Sequence, residues 1–293
     1  MALQSPTYWL AEHPSMVNFR SSPTQSWGST WSFLFTAISA YIVAATTLYT
    51  LLILSRWRRP FLAIHSLAVA LISAVVFVGM LLSAEAEIRE TRWFWSRTKT
   101  STPFQWLLCF PVGTRPSGRV FFWSYVLYLS CFLHLLRTFF TILRRRKLTF
   151  FTLFNQSDKS ILIFMSFLWL EFSQSFQVQA ILLTTLLYSV VYGYRFWTAI
   201  GLPRARFLPF VVNCQAVLLG CNLVCHFGVL FLHLLKGGCN GIGAWGFNSV
   251  LNGAVLLLFL KFYAKKMHSR NTKVSEDEDS THWGSVNLKE KHT

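Results

Sequence analysis

Charge is what this chain has least of. Only 13% of its 293 residues are Asp, Glu, Lys or Arg, whereas a soluble domain carries about 25%. Acids are the scarcer sign, with 11 Asp and Glu against 27 Lys and Arg and a net charge of +16. The six cysteines form no CxxC pair, which leaves no zinc pattern and no expected metal site. Disordered, collagen-like and small secreted disulfide-scaffold classes are excluded together. What is present is apolar: 53% hydrophobic residues, 17% aromatic, 28 Phe and a mean hydropathy of +0.43. Side chains of that kind in such excess need a second apolar solvent, and the bilayer supplies one.

A helix that crosses a bilayer needs about 20 apolar residues, because the hydrocarbon layer is about 30 Å thick and each residue rises 1.5 Å. Trp31 to Leu54, Phe61 to Ser83 and Val120 to Leu143 meet that length. Ser160 to Leu170 is a shorter run, interrupted by Glu171, Gln174 and Gln177 before Ala180 to Ile200 resumes, which reads as two helices. Phe207 to Leu235 is long enough to cross with tilt. Trp245 to Tyr263 makes a last crossing after the glycine-rich turn Lys236 to Gly243. The expectation is an all-α polytopic membrane protein of about seven transmembrane helices, with six as the rival count.

Lys and Arg of short loops stay on the cytosolic side. Arg56, Arg58 and Arg59, then Arg144 to Lys147, then Arg195, Arg204 and Arg206, then Lys261, Lys265 and Lys266 fall on alternate loops. They share one side, which makes the C-terminus cytosolic and the N-terminus lumenal. The segment 84–119 dissents: it carries six Lys or Arg yet must lie opposite, among Glu85, Glu87 and Glu90. The expected organisation is a lumenal segment 1–30, a membrane domain 31–263 and a polar cytosolic tail 264–293. The first 30 residues lack the short apolar core of a cleavable signal, so the first helix is expected to act as its own targeting signal. Lys289 and Lys291 stand five and three places from the end of the tail. They resemble a dilysine retrieval signal for the endoplasmic reticulum; short basic tails also arise by chance.

That topology places Cys109 and Cys239 in loops on the oxidising side, where a disulfide is expected, the other reading being two unrelated thiols. Cys131, Cys214, Cys221 and Cys225 lie within helices and read as small packing residues. An ionisable group inside a span is costly and marks a functional or pairing site. His134 and Arg137 are such groups, one helical turn apart on a face shared with Cys131 and Thr138. Arg137 either lines a polar chamber or reaches out to the cytosolic face; His134 is either a hydrogen-bonded core residue or part of that chamber. Glu171, Gln174, Gln177, Tyr188, Tyr192, Tyr194, Asn213 and Gln215 add polar tips on the later helices, of which Tyr192, Tyr194, Asn213 and Gln215 are expected to line the cavity.

The order of segments resembles the ELO family of very-long-chain fatty acid elongases, in a divergent plant-type branch. The likeness rests on Cys109, Phe110 and Pro111 with Pro116, Gly118, Phe121, Phe122 and Trp123, similar to the family's CFP...P.G..FFW entry to the third helix. It rests also on Tyr192, Gly193 and Tyr194 before Ala199, Ile200 and Gly201, similar to an MYGYY segment. Asn213 and Gln215 match the next motif in part. Gly238, Cys239, Asn240 and Gly241 match the last lumenal turn.

The resemblance implies a helical barrel enclosing an acyl tunnel closed at its lumenal end. It implies a 3-oxoacyl-CoA synthase, an acyltransferase that condenses acyl-CoA with malonyl-CoA and needs no cofactor. The family's chemistry resides in an HxxHH box, where imidazole is suited to accept a proton or an acyl group near neutrality. Here Thr152, Asn155 and Gln156 stand at those three positions. The family's KxxExxDT falls on Cys131, His134, Arg137 and Thr138, keeping only the threonine. Tyr188 replaces a further histidine, and Gln215 alone survives from TxxQxxQ, between Val212 and Leu218.

The replacements fall on chemistry and spare the scaffold. Two functions follow as expectations. One is an elongase-like enzyme of fatty acid and sphingolipid biosynthesis in the endoplasmic reticulum membrane, with His134 and Arg137 as a substitute base and anion clamp. The other is a silent member that binds acyl-CoA or regulates active elongases. The expected partners are the bilayer, acyl-CoA, other elongation components and a second copy of the chain; nucleic acid is not among them. Arg144 to Lys147, Arg204 and Arg206 either bind CoA phosphates or only fix topology. A receptor or transporter has little in its favour, since no inverted repeat is visible.

Overall fold

In a computed structural model the chain is described over residues 7–22, 26–51, 60–94, 103–143, 150–201, 207–236, 238–254 and 257. Those residues are mostly helical, with one isolated bridge between Arg20 and Ser117 and no named strand among them. A π-helical turn, Tyr8–Glu12, precedes α1 (Pro14–Val17), and α2 spans Trp31–Leu51. Helices α3 (Pro60–Phe94), α4 (Pro103–Leu108), α5 (Arg119–Leu143), α6 (Phe150–Phe172), α7 (Gln177–Ala199) and α8 (Leu208–Lys236) follow. By contact, residues up to Trp245 form one compact unit and residues from Gly246 another; within the second, 246–254 are helical.

The starts of these helices are written locally. Thr30 caps α2, its Oγ1 accepting the Phe33 amide at 3.3 Å. Proline opens α1, α3 and α4, at the position where a missing N–H costs nothing. Gly118, at φ +94°, turns the chain into α5 and donates its amide to the Phe19 carbonyl at 2.8 Å. Between α6 and α7 the chain breaks sharply: Ser173 and Phe176 both adopt positive φ. Two helices therefore replace one at the place where Glu171, Gln174 and Gln177 interrupt the apolar run.

One expectation needs correcting. The segment after Ser83 is not a loop from its start, because α3 continues to Phe94. Residues 84–90 are strong helix formers, and Arg89 pairs with Glu85 one turn back. The acids there also pair with two of the six basic residues of 84–119, Arg89 and Arg119. Arg119, only 5% exposed, binds Glu90 at 2.6 Å and Glu87 at 3.6 Å, so the first residue of α5 is tied to the end of α3.

Helix α3 packs along α7 and α5, and α5 also touches α2 and α6, which puts α5 at the centre. The core joins Leu34, Val76, Met80, Trp123, Leu127, Tyr128, Ile163, Phe167 and Ile181. Helices α3 and α5 come close at Gly79, where an added Cβ would stand 2.2 Å from the Trp123 ring. Trp123 Nε1 donates to the Leu10 carbonyl at 3.0 Å, anchoring the N-terminal turn on this pair.

Three helical stretches are long and apolar enough to cross a membrane among the described residues: Leu62–Glu90, Arg119–Arg137 and Asn213–Leu235. Trp31–Thr47 and Ile161–Phe172 are apolar but shorter. The basic clusters at 56–59, 144–147 and 204–206 and the tail with Lys289 and Lys291 lie outside the described residues.

Candidate functional site

Two polar assemblies stand out in this apolar molecule, near opposite ends of α7. The first is a knot where three loops meet. Cys109, just after α4, forms a disulfide with Cys239, just after α8, with the Cα atoms 5.2 Å apart. Beside it, Asn240 ties the turn to both other loops. Its Nδ2 donates to the carbonyls of Ser173 at 3.0 Å and of Thr114 and Phe172 at 3.3 Å, and its Oδ1 accepts the Gly113 amide at 3.2 Å. The Asn240 amide donates to the Phe110 carbonyl at 2.9 Å, and its carbonyl accepts from the Ser175 amide and hydroxyl, both at 3.0 Å. Gly241, at φ +63°, allows the close approach: a Cβ there would lie 2.7 Å from Gln174 Cα. Gln177, fully buried at the start of α7, donates from Nε2 to Ser124 Oγ of α5 at 2.7 Å.

The second assembly joins α3, α5 and α7. His134, 2% exposed, is hydrogen-bonded through Nδ1 to the Tyr192 hydroxyl at 2.9 Å. The Tyr188 ring lies 4.7 Å from the imidazole, one turn before Tyr192 on the same face of α7. The Arg137 guanidinium stands 5.4 Å from the Tyr192 ring centroid and that of Arg195 stands 4.9 Å from it, both within cation–π range. From α3, His65 Nε2 meets the Leu133 carbonyl at 2.9 Å, one residue before His134, while Val69 and Ala70 pack on Tyr192. Tyr192 is 1% exposed. Its ring is thus held by a helix on each side, its hydroxyl by an imidazole, and two guanidiniums rest on it.

Of the residues singled out in the sequence, His134, Arg137, Tyr188 and Tyr192 are brought together. Cys131, fully buried one turn before His134, lies 3.7 Å from Ser166 Oγ of α6. Tyr194 is half-buried on α7. On α8, Asn213 is exposed and Gln215 half-buried, and no described contact places either beside His134. Thr152, Asn155 and Gln156 lie on α6, and Thr138 on α5, but their side chains are outside the described residues. No group of three His, Cys, Asp or Glu that would suit a metal ion occurs among the described residues. Two members of the cluster were not read as site residues. His65 carried a signal, an imidazole in an apolar run; Arg195 had been read only as a marker of topology.

The arrangement can hold a proton at a buried imidazole and an anion beside two guanidiniums. Comparison with known proteins gives the frame for that chemistry. The family model ELO, GNS1/SUR4 family, matches residues 26–275. A "Fatty acid elongase 3-like" protein of Arabidopsis thaliana is 63% identical over 273 residues, covering 91% of this chain and 93% of that protein. A "Putative fatty acid elongase" of Dictyostelium discoideum is 22% identical over 267 residues, 88% of this chain and 84% of that one. No solved structure matches. A family match across most of the length, with a relative at that identity, places the chain among the fatty acid elongase-like membrane proteins of the GNS1/SUR4 (ELO) family.

Proposed function

We propose that the protein binds long-chain acyl-CoA in very-long-chain fatty acid and sphingolipid biosynthesis, and does not condense it by the imidazole route of its family. What supports this reading is the resemblance to the family, which sets Thr152, Asn155 and Gln156 at the three positions of its histidine box. None offers a nucleophilic or basic nitrogen near neutral pH. In this reading the chain sits in the endoplasmic reticulum membrane with seven spans, its N-terminus lumenal and its tail, with the retrieval lysines Lys289 and Lys291, cytosolic. The helices enclose an acyl tunnel, and the protein sets the output of active elongation components, self-association included.

One observation favours a second reading. The bond between His134 and Tyr192, with Arg137 over the same ring, supplies a positioned base and a cation in a different place. There His134 would take a proton and Arg137 would hold the malonyl carboxylate. Purified protein in detergent, given a saturated long-chain acyl-CoA and radiolabelled malonyl-CoA, decides. Saturable acyl-CoA binding without labelled product supports the first reading. Labelled 3-oxoacyl product that disappears in His134→Ala supports the second, and neither binding nor product overturns both.

A further inference from the structure

We propose that Arg195 and Arg137, carried on the buried Tyr192 ring, form a subsite for an anionic oxygen group of a CoA thioester, a carboxylate or a phosphate. The inference rests on the acyl-CoA reading above and adds the chemistry by which the ligand's polar end is held.

The sign of charge at the cluster is written in the three helices that build it. Helices α5 and α7 contain no Asp or Glu. On α3 the first acid is Glu85, about 30 Å along the helix from His65 at 1.5 Å per residue. All three described ion pairs are at that far end, with Glu85, Glu87 and Glu90. Yet at His134 the same helices gather two imidazoles, two guanidiniums and two phenols. No carboxylate among the described residues lies within ion-pair distance of Arg195.

Geometry makes this more than a surplus of charge. The two guanidinium carbons stand 5.4 and 4.9 Å from one ring centroid, so they are no farther apart than the sum of those distances. Like charges on one ring repel, and an anion beside Arg195 lowers that repulsion. The platform is rigid, because Tyr192 is buried and its hydroxyl is bonded to His134. Arg195 is half-buried and so in part open to a ligand, whereas Nη1 of Arg137 lies deeper, closed off from the surface. Planar guanidinium forks pair with carboxylate or phosphate through two parallel hydrogen bonds, so a doubly anionic group fits two of them better than a neutral acyl group does.

The test uses the full chain in neutral detergent, with melting temperature as the readout. Malonate and inorganic pyrophosphate at millimolar concentration are expected to raise the melting temperature of the native protein by several degrees. Arg195→Gln is expected to need at least tenfold more anion for the same rise, and Arg195→Lys to keep most of it. Arg195→Lys keeps the charge, so it separates loss of the subsite from loss of the fold. A second arm compares thioesters: malonyl-CoA binding at least tenfold tighter than acetyl-CoA assigns the subsite to a carboxylate. Equal affinity for those two, weakened together in Arg195→Gln, assigns it to the CoA phosphates. If the small anions act through Arg195 while long-chain acyl-CoA fails to bind, the anion subsite stands and the acyl-CoA reading falls. No response to anions in the native protein, or the same response in Arg195→Gln, overturns the proposal.

Discussion

Replacing Asn240 tests whether the knot of loops is held by one side chain. Its Nδ2 has two hydrogens for three carbonyls, those of Thr114, Phe172 and Ser173, while Oδ1 takes the Gly113 amide. Counting one carbonyl contact as shared leaves about three full hydrogen bonds, each worth about 1 kcal/mol net, so Asn240→Ala should lose about 2–4 kcal/mol. Asn240→Asp is nearly the same shape and gives the sharper result. It replaces the donor by a second acceptor facing three carbonyl oxygens, so it should be less stable than Asn240→Ala despite filling the same space. The assay is denaturant unfolding in detergent under non-reducing conditions, followed by tryptophan fluorescence. In a Cys239→Ser background the loss on Asn240→Ala should shrink, since neighbouring groups in one assembly do not add independently. An Asn240→Ala protein within about 0.5 kcal/mol of the native chain, or an Asn240→Asp protein more stable than Asn240→Ala, would refute this reasoning.

Three other outcomes are expected. Gly79→Ala should destabilise the protein by about 1–3 kcal/mol or more, because its Cβ would enter the Trp123 ring; Trp123→Leu in the same chain should recover part of that loss in thermal unfolding. Cys239→Ser should abolish the change in gel mobility that a reducing agent causes. It should also lower stability by at most about 5 kcal/mol, the chain-entropy value for a cross-link between residues 130 apart. Tyr192→Phe removes the hydroxyl bonded to His134 and should cost about 1–3 kcal/mol. The loss is read in thermal unfolding in detergent, and a Tyr192→Phe protein as stable as the native chain would count against the bond.

The helices were legible because apolar length and its interruptions are local signals. The break between α6 and α7 falls where three polar residues interrupt an apolar run, and the start of α5 follows Gly118. The end of α3 was misread for the opposite reason: residues 84–90 look polar enough for a loop, yet they are helix formers whose charges are paired, some across to Arg119. Partnerships of that kind between distant segments leave no periodic mark. His134 and Arg137 could be placed on one face of α5 from their spacing, and Tyr188 and Tyr192 are likewise one turn apart on α7, but that the two faces meet is shown only by the structure. Arg195 could not be placed, because an arginine near the end of an apolar helix reads as a loop charge until the facing ring is known. Asn240 was visible only as part of a motif, and its task depends on carbonyls contributed from residues 114, 172 and 173.

The two polar assemblies are far apart along the helix that joins them. From Gln177 to Arg195 α7 rises about 27 Å at 1.5 Å per residue, nearly the thickness of the hydrocarbon layer. At one end the contacts run mostly to backbone carbonyls and amides, through Asn240, Ser175 and the disulfide. At the other they run between side chains: imidazole, phenol and guanidinium. Backbone partners do not change when neighbouring side chains do, so the knot tolerates substitution elsewhere as long as its own few residues are kept. Side-chain partners have no such protection. Exchanging one group for another at the cluster rewrites what it can bind without loosening the far end. A chain built this way can exchange its site chemistry and keep its scaffold, because Cys109, Cys239 and Asn240 hold the loops together whatever the cluster carries.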